Sequence, residues 1–190
     1  KEELLELERI ESMARFQVVY QDEPLGLGHA VWCAREAIAG ESFWVMLPDV
    51  LMPGGERSIG RLMTSCPGEG DWGLLVKPVV AEEVHFYGII NGTEIEPGVY
   101  RIVGAVEKPR IKDAPSRLAI LGRYLLPPDI LEILCDLQQG VAGEVQLTDA
   151  IDILARQRAG RGIVVDDKTF DTGTPEGLRA AAKYYERALP

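Results

Sequence analysis

Five consecutive apolar residues, Phe43 to Leu47, constrain the fold of this 190-residue chain more than any other segment does. Pro48 and Asp49 follow directly and end the run. A short apolar run without alternation is typical of a strand that is buried on both faces, as in a parallel sheet covered by helices. We therefore expect an α/β protein in which residues 43–47 form a strand of the central sheet.

The rest of the hydrophobic pattern alternates strands with helices at both ends of the chain and clusters strands in the middle. The predicted strands are residues 16–20, 43–47, 72–78, 84–90, 100–106, 119–126 and 162–165. The predicted helices are residues 4–13, 29–39, 58–65, 127–137, 147–155 and 174–188. Asn91-Gly92 predicts a hairpin turn. This order predicts a mixed sheet flanked by helices, built as one domain over residues 1–190.

The balance of acidic and basic residues argues against two classes of binding partner. The chain carries 30 acidic and 20 basic residues, a formal net charge of −10. This balance argues against a nucleic-acid partner, which normally requires a basic face, and against docking on an anionic membrane. No apolar run approaches the roughly 18 residues of a membrane span. The three cysteines form no Cys-x-x-Cys pair, which is typical of reduced thiols, so we expect a cytoplasmic protein.

Four charged residues stand at or shortly after predicted strand ends, where open α/β sheets bind their ligands: Asp49, Glu107, Lys108 and Asp171. The two aspartates could together hold a hard divalent cation such as Mg²⁺, or each could simply cap a turn. Pro109 favours an extended Lys108, so the charges of Glu107 and Lys108 should project in opposite directions. They could meet a hydroxyl and a phosphate, or they could form a solvated pair.

A turn with two glycines precedes the second predicted helix. Gly26-Leu27-Gly28 lacks the spacing of a dinucleotide fingerprint and of a phosphate loop. Its glycines allow either a close backbone approach to a flat ligand or a tight turn into the helix. Gln21 and Gly26 follow the strand predicted at residues 16–20, so both are candidates for ligand contacts.

Seven short blocks occur along the chain in a definite order. They are Gln21-Asp22-Glu23-Pro24-Leu25-Gly26-Leu27-Gly28-His29-Ala30-Val31, Leu47-Pro48-Asp49-Val50, Phe86-Tyr87-Gly88, Val106-Glu107-Lys108-Pro109, Leu121-Gly122-Arg123-Tyr124, Glu144-Val145-Gln146-Leu147-Thr148-Asp149-Ala150 and Phe170-Asp171-Thr172-Gly173. Each block alone is weak, but the ordered set is specific. Together they resemble the blocks of the bacterial UTP–glucose-1-phosphate uridylyltransferases, also called UDP-glucose pyrophosphorylases.

The resemblance implies a Rossmann-like sugar nucleotidyltransferase fold. It implies that Gln21 and Gly26 contact the uracil of the nucleotide and that Gly28 lies close by. It also implies that Asp49 and Asp171 bind Mg²⁺.

For the sugar, the resemblance implies that Gly88 and Glu107 contact the glucose ring and that Lys108 contacts the sugar phosphate. The implied reaction is the Mg²⁺-dependent transfer of uridylyl from UTP to glucose 1-phosphate, giving UDP-glucose and pyrophosphate. The implied protein is a homo-oligomer. Asp49, Lys108 and Asp171 would carry the chemistry.

The chain also departs from the pattern that it resembles. The family opens with a strand and a Gly-x-Gly-Thr-Arg loop that this sequence does not contain, so we expect the first strand and the phosphate loop to be missing. Asp171-Thr172-Gly173-Thr174 is closer to the thymidylyltransferases of the same family. A thymidylyltransferase and a sugar-nucleotide-binding module or fragment without turnover therefore stay open as alternatives. A metal-dependent glycosyltransferase is disfavoured, because no Asp-x-Asp begins at Asp49.

Overall fold

The structure is a computed structural model, and it describes residues 2–140 and 143–188. Within those residues the strands are, in chain order, β1 (Phe43–Met46), β2 (Val50–Leu51), β3 (Gly73–Pro78), β4 (Gly88–Glu96), β5 (Val99–Glu107), β6 (Leu118–Leu126), β7 (Gly160–Val164) and β8 (Phe170–Asp171). The α-helices are α1 (Glu2–Ser12), α2 (Leu27–Cys33), α3 (Arg35–Ile38), α4 (Glu56–Ser65), α5 (Ile130–Asp136), α6 (Leu147–Gln157) and α7 (Pro175–Ala188). Short 3₁₀ helices cover Ala81–Phe86 and Ile111–Asp113. Among the described residues, no helix combines the length and the apolar composition that a membrane span requires.

Six strands form the central sheet in the order β1-β6-β3-β7-β5-β4. Strands β3 and β7 are parallel, and the other neighbours pair antiparallel. Strands β2 and β8 form a separate antiparallel ribbon. The mixed sheet flanked by helices confirms the predicted fold class.

Helices cover both faces of the sheet, because alternate residues of a strand point to opposite sides. In β3, Leu74 and Val76 belong to a buried cluster with residues of α5 and α6, such as Ile130 and Ile151. The intervening Leu75 belongs to a second cluster, which includes residues of α4. Burying one such leucine stabilises the fold by roughly 1.5–3 kcal/mol. The sheet is thus held between two layers, and the loops at its ends are left to form a site.

Strand β1 differs from its prediction. Among the described strands it lies at the edge of the sheet and pairs with β6 alone, antiparallel, and Met46 is 51% exposed. An apolar run is compatible with an edge position because one face of the strand still packs on the core. The prediction of a strand was correct, but the prediction that both of its faces are buried was wrong.

The strand predicted at residues 16–20 is absent. Phe16 and Tyr20 are 78% and 80% exposed, and in the described part of the chain no strand pairs with this segment. A strand needs a partner for its main-chain groups, so apolar and aromatic composition alone does not make one. The apolar side chains of the preceding helix α1, including Leu4 and Met13, are exposed as well.

The turn predicted at Asn91-Gly92 is also wrong. Both residues lie inside β4, where the pairing with β5 shifts register, and β4 continues to Glu96. The chain reverses at Pro97-Gly98 instead, where Gly98 has a φ of 70°. The extra residue at this shift is Val103 of β5, since Asn91 pairs with Gly104 and Gly92 pairs with Ile102, and a β-bulge of this kind disturbs the pairing without ending β4. The predicted strand at residues 84–90 likewise begins later, at Gly88.

Candidate active site

A cavity of about 370 Å³ opens beside the ends of β1, β5 and β8. Its lining includes five of the residues singled out in the sequence, namely Asp49, Gly88, Glu107, Lys108 and Asp171. It also includes polar residues from other elements, among them Lys77, Tyr87, Tyr124, Glu144 and Thr148. The topology therefore gathers the strand-end charges of distant segments around one space.

The ribbon of β2 and β8 brings the two aspartates together. Val50 pairs with Asp171, and Thr172 donates two hydrogen bonds to the Asp49 carbonyl oxygen, from its N–H at 2.7 Å and from its Oγ1 at 2.9 Å. A Cβ placed on Gly173 would lie 3.1 Å from both Asp49 Oδ2 and Asp171 Oδ1. The two carboxylate oxygens are thus at most twice that distance apart and face the same space.

Two carboxylates suit a particular kind of metal site. In the described residues, no group of three or more His, Cys, Asp or Glu side chains is arranged to hold a metal ion. Mg²⁺ needs no such cage, because it keeps several waters and often binds through one or two carboxylates and the phosphates of a substrate. The pair formed by Asp49 and Asp171 fits that donor set.

Glu107 and Lys108 end β5 in a conformation that differs from the expected one. Lys108 has a φ of 45°, not an extended backbone, and its N–H donates to the Tyr87 carbonyl at 3.0 Å. Its Nζ lies 3.5 Å from Glu107 Oε1, so the two charges point to the same side. The left-handed backbone turns the lysine back over the glutamate, which overrides the preference that Pro109 imposes. A side chain in this region is strained, and such residues cluster at functional sites.

Gly88 lines the cavity, and its lack of a side chain leaves space there. A Cβ at this position would lie 2.6 Å from Thr148 Oγ1 and 3.1 Å from Glu107 Oε2. Any larger residue would push the glutamate or the threonine out of place. The glycine therefore lets a ligand approach the main chain of β4 beside the Glu107 carboxylate.

Gln21, Gly26 and Gly28 are not among the residues that line this cavity, although Leu27 is. Gln21 Nε2 donates to the Gly26 carbonyl at 3.0 Å and lies 2.9 Å from His29 Nδ1, which accepts the second N–H when the imidazole carries its proton on Nε2. The glycines are explained by packing, because a Cβ on Gly26 or Gly28 would lie 2.8 or 2.7 Å from the Val145 carbonyl oxygen. The sequence left open whether these glycines allow a flat ligand or a tight turn to come close. In this structure the group that lies close to both of them is the main chain of Val145.

Carboxylates in the cavity affect the pKa values of neighbouring groups. Burial raises the pKa of Tyr124, and the nearby charge of Glu107 raises it further. Burial and then the charge of Asp171 raise the pKa of Tyr87 in the same way. The pKa of Asp149 is raised by burial and then by Glu107. A nearby carboxylate thus contributes to the raised pKa of each group, and a cation bound at these carboxylates would be stabilised by them.

Arg123 does not line the cavity, but it contacts the loop that carries Asp49, and no role was predicted for it from the sequence. Its guanidinium donates to the carbonyl oxygens of Leu47, Gly122 and Val50. Burial lowers its pKa, and the negative charge of Asp49 opposes that shift. A signal for it exists in the sequence, because arginine is rarely placed among apolar strand residues unless its donors are paired.

The known proteins that are similar to this chain are nucleotidyltransferases. A family model described as nucleotidyl transferase matches residues 1–188. Two UTP–glucose-1-phosphate uridylyltransferases of Bacillus subtilis strain 168 are similar to the chain. One is 39% identical over 179 residues, covering 94% of this chain and 61% of the relative. The other, YngB, is 36% identical over 181 residues and covers 95% and 61%. The chain thus spans about three fifths of these relatives' length.

A solved structure extends the comparison to the fold. A UDP-glucose pyrophosphorylase complexed with UDP-glucose matches with a TM-score of 0.89 and 35% identity, covering 98% of this chain and 72% of the other. The predicted Rossmann-like nucleotidyltransferase fold is therefore confirmed.

Proposed function

The chain belongs to the nucleotidyl transferase family, and on that premise we propose that the protein transfers uridylyl from UTP to glucose 1-phosphate. The products are UDP-glucose and pyrophosphate. The similar curated proteins carry this activity in their names, and the similar solved structure was determined with UDP-glucose. The observation that supports the proposal best is the convergence of Asp49 and Asp171 on one space beside Glu107 and Lys108.

In this proposal Asp49 and Asp171 hold Mg²⁺, which when bound supplies positive charge to the phosphate oxygens. The donor set supports this assignment, because the two carboxylates face one space. Lys108 holds the phosphate of glucose 1-phosphate through its ammonium group. Glu107, whose side chain is 10% exposed, accepts hydrogen bonds from the sugar hydroxyls beside Gly88.

On the nucleotide side, Gln21 contacts the uracil. Its carboxamide N–H groups are engaged by Gly26 and His29, which leaves the carboxamide oxygen for the base. That oxygen can accept a hydrogen bond from the N3–H of uracil. Gly26 and Gly28 contribute by fixing the turn against Val145, so that Leu27 reaches the cavity.

The reaction needs no covalent enzyme intermediate. A phosphate oxygen of glucose 1-phosphate attacks the α-phosphorus of UTP in line, the new P–O bond forms, and the bond to pyrophosphate breaks with its electron pair. The protein contributes positioning and charge neutralisation. Lys108 orients the attacking phosphate, and the two aspartates keep the neutralising charge in place.

The test is pyrophosphorolysis of UDP-glucose with Mg²⁺, measured as UTP release, together with calorimetric titration of UDP-glucose. The proposed function requires both binding and turnover. Asp49→Asn should lower turnover by about a hundred-fold or more, the scale of loss from a misplaced reacting group, and should leave thermal unfolding nearly unchanged. The matched control is Asp113→Asn on the exposed 3₁₀ helix away from the cavity, which should change neither.

The outcomes separate the rival functions. Binding of UDP-glucose without UTP release would support a sugar-nucleotide-binding module. Faster release of dTTP from dTDP-glucose than of UTP from UDP-glucose would support a thymidylyltransferase. Full activity of Asp49→Asn would overturn the metal assignment.

A further inference from the structure

We propose that Arg123, together with Thr172, is a positioning residue that clamps the main chain around Asp49 and so sets the separation of the Asp49 and Asp171 carboxylates. The inference rests on the proposed function, which assigns these carboxylates to a metal ion. Neither Arg123 nor Thr172 holds the metal itself in this proposal.

The hydrogen bonds of Arg123 bracket Asp49 along the chain. One Nη atom donates to the Leu47 carbonyl at 2.8 Å, and the other donates to the Val50 carbonyl. These acceptors lie two residues before Asp49 and one residue after it. The first Nη also donates to the Gly122 carbonyl at 3.0 Å, which ties the guanidinium to its own strand, β6. This side chain attaches the short loop that carries Asp49 to the central sheet, in addition to the hydrogen bond from the Leu47 N–H to the Gly122 carbonyl at 3.0 Å.

Thr172 holds the same loop from the opposite direction. Its N–H and its Oγ1 both donate to the Asp49 carbonyl oxygen, at 2.7 and 2.9 Å. Thr172 follows Asp171 directly, so the second aspartate is held by the same contact. Arg123 on β6 and Thr172 after β8 thus fix the aspartate loop between the sheet and the ribbon.

Arginine is specifically suited to this position. Its planar guanidinium has five N–H donors in a fork, so separate nitrogens can reach separate carbonyls. Lysine keeps the charge, but its donors radiate from a single atom and cannot span two acceptors in the same way. The cation also lies close enough to Asp49 for the carboxylate to oppose the effect of burial on it. Arg123→Lys therefore removes the hydrogen bonds to the separate carbonyls but keeps the positive charge, so it tests the two effects separately.

The experiment measures Mn²⁺ binding by electron paramagnetic resonance with UDP-glucose present, and UDP-glucose binding without metal by calorimetry. Arg123→Lys should weaken Mn²⁺ binding roughly 10–100-fold, as the loss of an outer-shell partner does in metal sites. Binding of UDP-glucose in EDTA should stay within two-fold. Thr172→Val removes one neutral donor at nearly constant shape and should weaken Mn²⁺ binding roughly two- to ten-fold. The control is Arg179→Lys on α7, whose ion pair is exposed and long at 3.9 Å.

Each outcome is decisive. Folded Arg123→Lys with wild-type Mn²⁺ affinity would overturn the inference while leaving the proposed function intact. A wild-type chain that binds UDP-glucose but no Mn²⁺ would overturn the metal assignment and the clamp with it. A lower unfolding temperature without a change in Mn²⁺ affinity would mean a purely structural arginine and would also overturn the inference. Should Arg123→Lys fail to fold, Thr172→Val decides, and an unchanged affinity there counts against the clamp.

Discussion

Gly177→Ala should destabilise this protein, although replacing a helical glycine by alanine ordinarily stabilises. Gly177 is the third residue of α7, and its N–H donates to Thr174 Oγ1 at 3.1 Å. A Cβ on Gly177 would overlap the carbonyl oxygen of Asp171 and would lie 2.7 Å from the Asp171 carbonyl carbon. The helix therefore packs against the main chain of a proposed metal ligand at a point where only a hydrogen fits.

The change in the free energy of unfolding is the sum of two opposing effects of Gly177→Ala. Alanine gains at most about 1 kcal/mol over glycine at this position, the figure for a helix interior, whereas forcing an extra carbon into a filled space costs typically about 1–3 kcal/mol. Because the overlap is with main chain and not with a flexible side chain, we expect the upper part of that range and a net loss of about 1–2 kcal/mol. For a chain of this size the midpoint of thermal unfolding then falls by roughly 2–8 °C.

The assay is thermal unfolding of wild type and variant, followed by Mn²⁺ titration of both folded proteins. Gly60→Ala is a matched control, because Gly60 lies inside α4 and a Cβ there meets nothing within 4 Å. That control should raise the unfolding midpoint. The reasoning is refuted if Gly177→Ala is stabilised as Gly60→Ala is. If Gly177→Ala is destabilised as expected, its Mn²⁺ affinity should fall too, because the Asp171 main chain must move.

Two further predictions concern Gly88 in the cavity and the thiols of Cys66 and Cys135. Gly88→Ala should weaken UDP-glucose binding at least ten-fold, because the new methyl group would displace Glu107 from the sugar. Binding of UDP should stay unchanged in calorimetry, and an equal loss for both ligands would contradict this. Burial raises the pKa of the Cys66 thiol to about 11, so at pH 8 only about one such thiol in a thousand is ionised, whereas Cys135 is exposed. Iodoacetamide should therefore label Cys135 long before Cys66, as mass spectrometry of the peptides would show, and equal rates would refute the argument.

The elements that sequence reasoning predicted well are those whose signal is local. Residues 119–126 and 147–155 show strong apolar patterns and form β6 and α6. Asp49 and Asp171 could be ranked as site candidates because strand ends converge at one edge of such sheets. The space that they share depends on the ribbon of β2 and β8, which are two residues each and too short to predict.

Other features depend on contacts that sequence alone does not contain. Residues 16–20 have strand composition, but in the described part of the chain they have no pairing partner. Lys108 adopts a left-handed backbone despite the following proline, because its N–H is bound by the Tyr87 carbonyl. The single-domain extent, the homo-oligomer and the cytoplasmic location stay predictions.

The ribbon that joins Asp49 to Thr172 has a consequence for how the protein folds. The two residues are 123 positions apart in the chain. Closing a loop of that length costs about 4 kcal/mol of chain entropy, and a ribbon of two short strands cannot supply that by itself. The contact can therefore form only after the intervening sheet has brought both ends within reach. Before the contact forms, the two carboxylates are not close to each other. An ion that needs both of them therefore binds the folded state and not the unfolded state, and by mass action it raises the free energy of unfolding.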